Sequence, residues 1–353
     1  MNTYSIAVIP GDGIGAEVVP EGQRVLEAAG RRCGFEWRWT EFDWGCQLYA
    51  DTGKMTSGGG VDDLRAADAV YLGAVGYPSV ADHVSLWGLL IPIRRRFDQY
   101  INLRPVRLLP GLQTPLAGRV PADIDFIVVR ENTEGEYSEV GGRMFAGTDD
   151  ELVVQQAIFT RRGTDRVIRY AFDLARTRPA RHLTSATKSN GIIHSMPFWD
   201  ERFRAVAADY PDVRTDQFHI DILAAHLVQH PDWFDVIVAS NLFGDILSDI
   251  GPALAGSIGL APGANINPER THPSMFEPVH GSAPDIAGQG IANPIGQIWT
   301  GAMMLDHLGE REAAAGIVQA IEAHVAAGEC LTRDLGGTAT TADVGAAIAA
   351  RVA

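Results

Sequence analysis

The chain has 353 residues, a formal net charge of −15, 46% apolar residues and 21% charged ones, a length that favours two lobes with a cleft, since single cores seldom grow past roughly 250 to 300 residues. The acidic balance excludes a nucleic-acid partner, and no apolar run reaches the ~20 residues of a membrane span. No export signal opens the chain, and Cys33, Cys46 and Cys330 are too few and too scattered for a disulfide framework or cysteine metal site, so a reducing cytoplasm is expected.

In chain order, SIAVIP predicts a strand and a helix follows from about Ile14. The turn between them, GDGIGAE (Gly11 to Glu17), formally satisfies a G-x-G-x-x-A dinucleotide fingerprint. The acidic residue that should follow ~20 residues on is missing, because RRCGFEWRW stands there, so the segment reads better as a tight glycine turn. AVYLGAV predicts the next strand. Beyond it Arg94, Arg95, Arg96, Arg104 and Arg107 crowd one stretch, with Arg130 close behind. Guanidinium forks bind carboxylates in a bidentate way, so arginines clustered in an acidic chain point to a small anionic ligand. The alternative is a solvated helix face paired with surface acids, which suits Arg95 and Arg96.

DFIVVR predicts a strand, and Tyr137 to Ala157 then shows glycines and β-formers without helical period, as a protruding hairpin near 137–157 that could clasp a second subunit. HLTSAT, QFHI and DVIVAS predict further strands, each followed by a helix. The alternation gives an α/β fold with a largely parallel sheet. Charged residues fall at the carboxyl ends of these strands: Arg130 ends DFIVVR, Lys188 follows HLTSAT, Asp221 follows QFHI, and Asp245 follows DVIVAS after a short turn. Open α/β sheets bind ligands at that edge.

Asp245 and Asp249 lie one helical turn apart, where two carboxylates repel unless a cation sits between them. Their hard oxygens suit Mg²⁺ or Mn²⁺; helix capping explains Asp245 but not Asp249 equally. His226 and His230 share a zinc-like spacing, but no glutamate follows the first and Pro231 ends the helix, so they read as ordinary helix residues. HGSAPDIAGQGIANP (His280 to Pro294) is a loop rich in small residues that lets backbone approach a ligand closely, and it opens a helix at about Ile295.

Taken together, GDGIG, LRP (Leu103 to Pro105), RENTEGEY, TKSNG, HIDI, NLFGDILSD, HGSAPDIAG and DLGGTAT (Asp334 to Thr340) resemble the β-decarboxylating dehydrogenases, the family of isopropylmalate and isocitrate dehydrogenases. The resemblance spans nearly the whole chain. It implies a two-domain isopropylmalate/isocitrate dehydrogenase-like fold, not a Rossmann fold, with residues 1–100 and 252–353 in a large domain and 101–251 in a second that carries the dimer contacts. It further implies a substrate clamp of Arg94, Arg104 and Arg130, with Leu90 facing the variable part of the substrate. The metal ligands would be Asp221, Asp245 and Asp249, and the proton-transfer residues Tyr137 and Lys188. The cofactor loop would use His280, Gly281, Ser282, Ala283, Asp285, Ile286 and Asn293.

The cofactors implied are NAD, because Asp285 would bind an adenosine ribose and repel a 2′-phosphate, and Mg²⁺ or Mn²⁺, with a monovalent cation such as K⁺ as a further candidate. The partners implied are a small dicarboxylate and a second copy of the chain, in a homodimer whose active sites take Lys188 and Asp221 from one subunit and the remaining residues from the other. Within the family the segment DHVSLWGLLIPIRRRFDQYINLRP resembles the tartrate/D-malate group, with Trp87 where isopropylmalate enzymes usually carry glutamate. Leu90 stands where isocitrate enzymes carry a serine. The alternatives are 3-isopropylmalate oxidation and, from another class, a non-catalytic regulatory subunit, which the complete residue set disfavours.

Overall fold

Runs of β-branched and aliphatic residues between glycine turns make strands whose two faces are both covered, as a sheet flanked by helices requires. The computed structural model describes residues 2–353. Its strands are β1 (Asn2–Gly11), β2 (Phe35–Glu41), β3 (Ala69–Ala74), β4 (Ile101–Arg107), β5 (Asp125–Glu131), β6 (Gly141–Met144), β7 (Leu152–Gln155), β8 (His182–Thr187), β9 (Arg214–His219), β10 (Val236–Ala239), β11 (Ala264–Ile266) and β12 (Ser274–Phe276). Ten of them form one sheet in the order β2-β1-β3-β12-β11-β4-β5-β10-β8-β9. The flanks are parallel, whereas β11 runs antiparallel to both β12 and β4, and β4 runs antiparallel to β5. The strands from the first and last parts of the chain therefore fill one half of the sheet, and those of the middle section fill the other.

Helices Gly15–Cys33, Ile295–Leu308, Arg311–Ala327 and Thr341–Val352 pack together beside β1 and β3. Val25, Leu26, Ile298, Leu305, Ile317, Ile321 and Ile348 are fully buried there, each contributing roughly 1.5 to 3 kcal/mol by leaving water. Gly301 sets the helix spacing, since a Cβ on it would stand 3.0 Å from Leu26 Cδ1. On the other half, Arg161–Thr177 and Ser195–Ala207 cover the sheet through stacked Phe172, Phe203 and Tyr210.

The glycine turn after β1 has the geometry its sequence requires. Gly11 and Gly13 take φ of 71° and 56°, and a Cβ on either would lie 2.0 Å from a backbone oxygen, of Ala74 and Ser282 respectively. Asp12, buried between them, accepts from the N–H groups of Cys46 and Gly76. The hairpin is present as β6 and β7, separate from the main sheet, and it extends to Gln155. Its Met144, Phe145, Leu152, Val153 and Val154 are exposed.

The segment before β4 is not one regular helix. Asp82–Ser85 is α-helical, Leu86–Leu90 makes a π turn in which Ile91 N–H donates to Leu86 O, and Ile91–Arg96 is α-helical again. Pro92 has no N–H for the carbonyl of Gly88, and its ring would clash with that carbonyl in a tight turn, so the wider turn accommodates it.

Candidate active site at the centre of the sheet

Three buried arginines come from three elements: Arg94 from the helix Ile91–Arg96, Arg104 from β4 and Arg130 from β5. Buried cations need partners. Arg94 donates to Glu277 Oε1 at 2.8 Å, and Asn265 donates to the same oxygen at 2.7 Å. Asn102 and Asn132 both donate to Asn265 Oδ1, and Arg104 Nε donates to Asn102 Oδ1, so one polar network positions two of the arginines. Arg94 Nε is buried without a partner among the described residues, a donor free for an anionic ligand. Burial lowers the pKa of Arg104 and brings that of Arg130 to about 10, despite the nearby carboxylates; both stay cationic at neutral pH.

The helix Asn241–Leu254 begins just after β10 and points its first turn at Arg130. Gly244 permits this approach, because a Cβ there would come within 2.6 Å of Arg130 Cβ. Asn241 Oδ1 then accepts from Arg130 Nε and Nη2, and Asp245 Oδ1 pairs with Arg130 Nη1. Tyr137 donates its hydroxyl to Asp245 Oδ2 at 2.7 Å. Burial opposes the ionisation of Asp245, but Arg130, the Tyr137 hydroxyl, Arg104 and Arg94 together outweigh it and hold the carboxyl below the usual range. Asp249 lies one turn on, 3.7 Å from Arg104 Nη1. Burial, aided by the charge of Asp245 and opposed by Arg104, raises its pKa. Burial and the acceptor Asp245 likewise raise the pKa of the Tyr137 phenol, which keeps it a proton donor. Two carboxylates one helical turn apart offer the hard oxygens that fit a divalent cation.

Lys188 follows β8, and Asp221 sits in the first turn of the helix Ile220–Gln229. They pair with each other at 2.8 Å, and the Lys188 ammonium holds the exposed Asp221 carboxyl below its usual range. Among the described residues no group of three His, Cys, Asp or Glu side chains is placed to hold a metal within the single chain. The chain thus brings Arg94, Arg104, Arg130, Tyr137, Asp245 and Asp249 into one cluster, and it places Lys188 with Asp221 as a separate pair.

Leu90 ends the π turn and is half-buried. Arg96 pairs with Asp62 on the surface, as expected, but Arg95 does more. It lies 5.0 Å over the Trp87 ring, pairs with Glu139 and donates to the backbone carbonyl of Tyr137 at 2.9 Å, tying the variable segment to the tyrosine loop. His226 and His230 pack with Trp233, His230 stacking on it at 4.1 Å.

The loop 280–293 runs along the start of the first helix. His280 is buried, with its pKa lowered by desolvation and its Nε2 unpartnered among the described residues, an orphan that suits a ligand hydrogen bond. Ser282 is buried, Gly281 and Asp285 are exposed, and Ala283 and Ile286 rest on Ile14, Val18 and Ala292. Asp285 has no ion-pair partner among the described residues, which leaves its exposed carboxylate free. Asn293 is held by Asp334, which accepts from Nδ2 at 2.9 Å, and its Oδ1 accepts from Ile295 N–H.

Sequence reasoning missed several residues that build this site. Glu136 caps the helix Asn241–Leu254, accepting from Leu242 N–H and Ser240 Oγ. Glu131 accepts from Thr133 and Glu134, and burial pushes its carboxyl up to about 7. Glu277 anchors Arg94, and Asn265 links Glu277 to the Asn102 that holds Arg104. RENTEGEY carried the signal for Glu131 and Glu136, since acids crowded around a buried arginine require partners of their own.

Residues 5–348 match the family model described as isocitrate/isopropylmalate dehydrogenase. The chain is 59% identical to the D-malate dehydrogenase [decarboxylating] of Escherichia coli (strain K12), over 99% of this chain and 98% of that one. It is 57% identical to the tartrate dehydrogenase/decarboxylase of Pseudomonas putida, over 98% and 97% of the two chains. The isocitrate dehydrogenase from Methylococcus capsulatus superposes with a TM-score of 0.88 at 36% identity, covering 99% of both chains. With the fold and the full-length similarity in agreement, the chain belongs to the isocitrate/isopropylmalate dehydrogenase family.

Proposed function

We propose that the protein oxidises a small 2-hydroxy dicarboxylic acid, D-malate or tartrate, with NAD and a divalent cation, and releases the β-carboxylate as CO₂. The observation that carries this reading is the cluster around Asp245, which pairs with Arg130, accepts from Tyr137 and is held below the usual carboxylate range with the help of the nearby charges of Arg104 and Arg94. Three buried guanidinium groups match a substrate with two carboxylates. The names of the relatives support the substrate class.

In this reading the arginines orient the substrate and neutralise its charge, with Arg94 Nε free for a carboxylate oxygen. Asp245, Asp249 and Asp221 would hold Mg²⁺ or Mn²⁺, which would supply Lewis acidity toward the C2 hydroxyl, and NAD would supply the hydride acceptor. Lys188 takes the C2 hydroxyl proton, directly or through water. Once the β-carboxylate has left, the Tyr137 hydroxyl returns a proton to C3. Asp285 and Ile286 receive the adenosine end of NAD, with His280, Gly281, Ser282, Ala283 and Asn293 lining the same loop; K⁺ is a further candidate for the completed site.

The site is shared between two copies of the chain, one giving Lys188 and Asp221 and the other the arginine cluster. In support, Asp221 pairs with Lys188 and forms no three-ligand group with Asp245 and Asp249. Apolar residues also stay exposed near these elements, among them Ile192, Ile193, Ile222 and Ile246, as well as those of the hairpin; patches of that kind mark interfaces. The domains proposed, 1–100 with 252–353 and 101–251, follow the two halves of the strand order.

The test is NADH formation with Mn²⁺ across D-malate, the tartrate isomers and 3-isopropylmalate, with CO₂ measured in parallel. Turnover of D-malate or a tartrate with the highest kcat/KM supports the proposal. A clear preference for 3-isopropylmalate moves the assignment to that acid, and no NADH from any of them leaves the regulatory-subunit reading.

A further inference from the structure

The GDGIGAE turn is not a dinucleotide fingerprint, yet its residues grip the loop 280–293. Ile14 N–H donates to Ser282 O at 2.9 Å, and Gly13 lies against that same carbonyl. Farther along the helix's first turn, Glu17 accepts from Gly288 N–H at 2.5 Å through Oε1 and from Gly290 N–H at 2.7 Å through Oε2. A carboxylate in the first turn is already favourable to the helix, but here both oxygens are directed out to another segment. At its far end the loop is tied by Thr341, whose N–H donates to Gly290 O and whose hydroxyl donates to Ala292 O.

Between these ties the loop is in a conformation that it does not hold cheaply. Ala283 has φ of 41°, and Gly288 and Gly290 have φ of 76° and 65°. An alanine in the left-handed region is strained, and such residues persist only where their surroundings fix them. Asp285 and Ile286 lie between Ala283 and the two glycines, so whatever fixes Gly288 and Gly290 also fixes the direction in which Asp285 is presented.

We infer that Glu17 is a positioning residue for the cofactor: its carboxylate staples the Gly288 and Gly290 N–H groups and so pre-forms the loop that presents Asp285 to NAD. The inference rests on the NAD reading of this loop. Glu17 touches neither the arginine cluster nor the carboxylates of the metal site, so its effect falls on cofactor affinity. If losing the staple left about a tenth of the molecules with a competent loop, apparent NAD affinity would fall about tenfold while the saturated rate held.

The experiment compares wild type with Glu17→Gln and Glu17→Ala. Glutamine keeps the length but offers one acceptor where two N–H groups converge, so it restores only part of the staple. Hydrogen exchange over residues 281–292 is read in the cofactor-free protein, the KM values for NAD and D-malate are read with Mn²⁺, and thermal melting checks folding. The expected result is faster exchange in both variants and a KM for NAD raised about tenfold in Glu17→Ala and less in Glu17→Gln. The KM for D-malate and the kcat at saturating NAD stay within about twofold. Unchanged exchange overturns the staple, and faster exchange with an unchanged KM for NAD overturns its link to the cofactor. If wild type itself shows no saturation with NAD, the cofactor reading fails instead, and the exchange comparison still decides whether Glu17 holds the loop.

Discussion

The Tyr137 hydroxyl donates to Asp245 Oδ2 at 2.7 Å, which joins a proton donor to a carboxylate proposed to hold the metal. Asp245 is bound on its other oxygen by Arg130. The carboxylate is thus kept ionised and fixed in place, ready for the divalent cation that Asp245 is proposed to hold, with the phenol beside it as a proton donor. Tyr137→Phe should therefore leave hydride transfer largely intact and slow enol protonation and product release as ketone by about 10²-fold or more, the range of a lost general acid. Single-turnover NADH formation measured against formation of the C3-protonated keto acid separates the two. Equal slowing of both would remove Tyr137 from the late proton transfer.

Gly244 allows the helix Asn241–Leu254 to reach Arg130, where a Cβ would meet Arg130 Cβ and Cγ at 2.6 Å. Gly244→Ala should cost about 1 to 3 kcal/mol of stability, as overpacking does. Because Asp245 follows directly, Mn²⁺ affinity should fall with stability, and titrating the variant with Mn²⁺ while following melting reads both. A stable variant with unchanged Mn²⁺ affinity would show that this approach does not place Asp245.

How much of this was legible from the sequence differs from residue to residue. Arg130, Lys188, Asp221 and Asp245 could be placed without coordinates, because α/β sheets expose strand ends at one edge and the strands announce themselves by composition. Arg95 could not: its neighbours in sequence made it look like part of a solvated face, and its contact with the Tyr137 carbonyl spans 42 positions. The Arg94–Glu277 pair spans 183. Buried polar networks have no period, so a sequence pattern gives no hint of them. The π turn at Leu86–Leu90 was hidden for a related reason, since Pro92 could equally have ended a helix.

Asp285 is exposed and free of cationic partners among the described residues. A carboxylate there should accept from the adenosine ribose and repel a 2′-phosphate. The kcat/KM for NAD is expected to exceed that for NADP, and Asp285→Asn should narrow the ratio by about tenfold, in line with the loss of one charged hydrogen bond. Equal use of both cofactors by wild type would contradict the assignment.

His307 carries a pH signature unrelated to catalysis. Burial, with a smaller contribution from Arg270, lowers its pKa from 6.5 to about 4. Between those values the unfolded chain binds a proton that the folded chain does not, so this histidine's contribution to stability is full above pH 6.5 and is lost as pH falls toward 4. The loss amounts to roughly 2 to 3 kcal/mol by pH 4.5. Denaturant unfolding at pH 7 and 4.5 should show a smaller drop for His307→Gln than for wild type; identical drops would mean that His307 is not held neutral.

In the proposed homodimer one active site is built from two chains, Lys188 and Asp221 arriving from the partner of the chain that supplies Asp245. Closed C₂ symmetry then gives two equivalent composite sites. Lys188→Ala and Asp245→Asn homodimers should each be nearly inactive. In a heterodimer of the two, one site collects both lesions and the other none, so unfolding and refolding the mixture should return activity, up to about a quarter of wild type for random pairing. Asp245→Asn mixed with Asp249→Asn should stay inactive, because every site keeps a lesion. Recovered activity in the first mixture alone is the expected result; no recovery despite demonstrated subunit exchange would mean that the site belongs to a single chain.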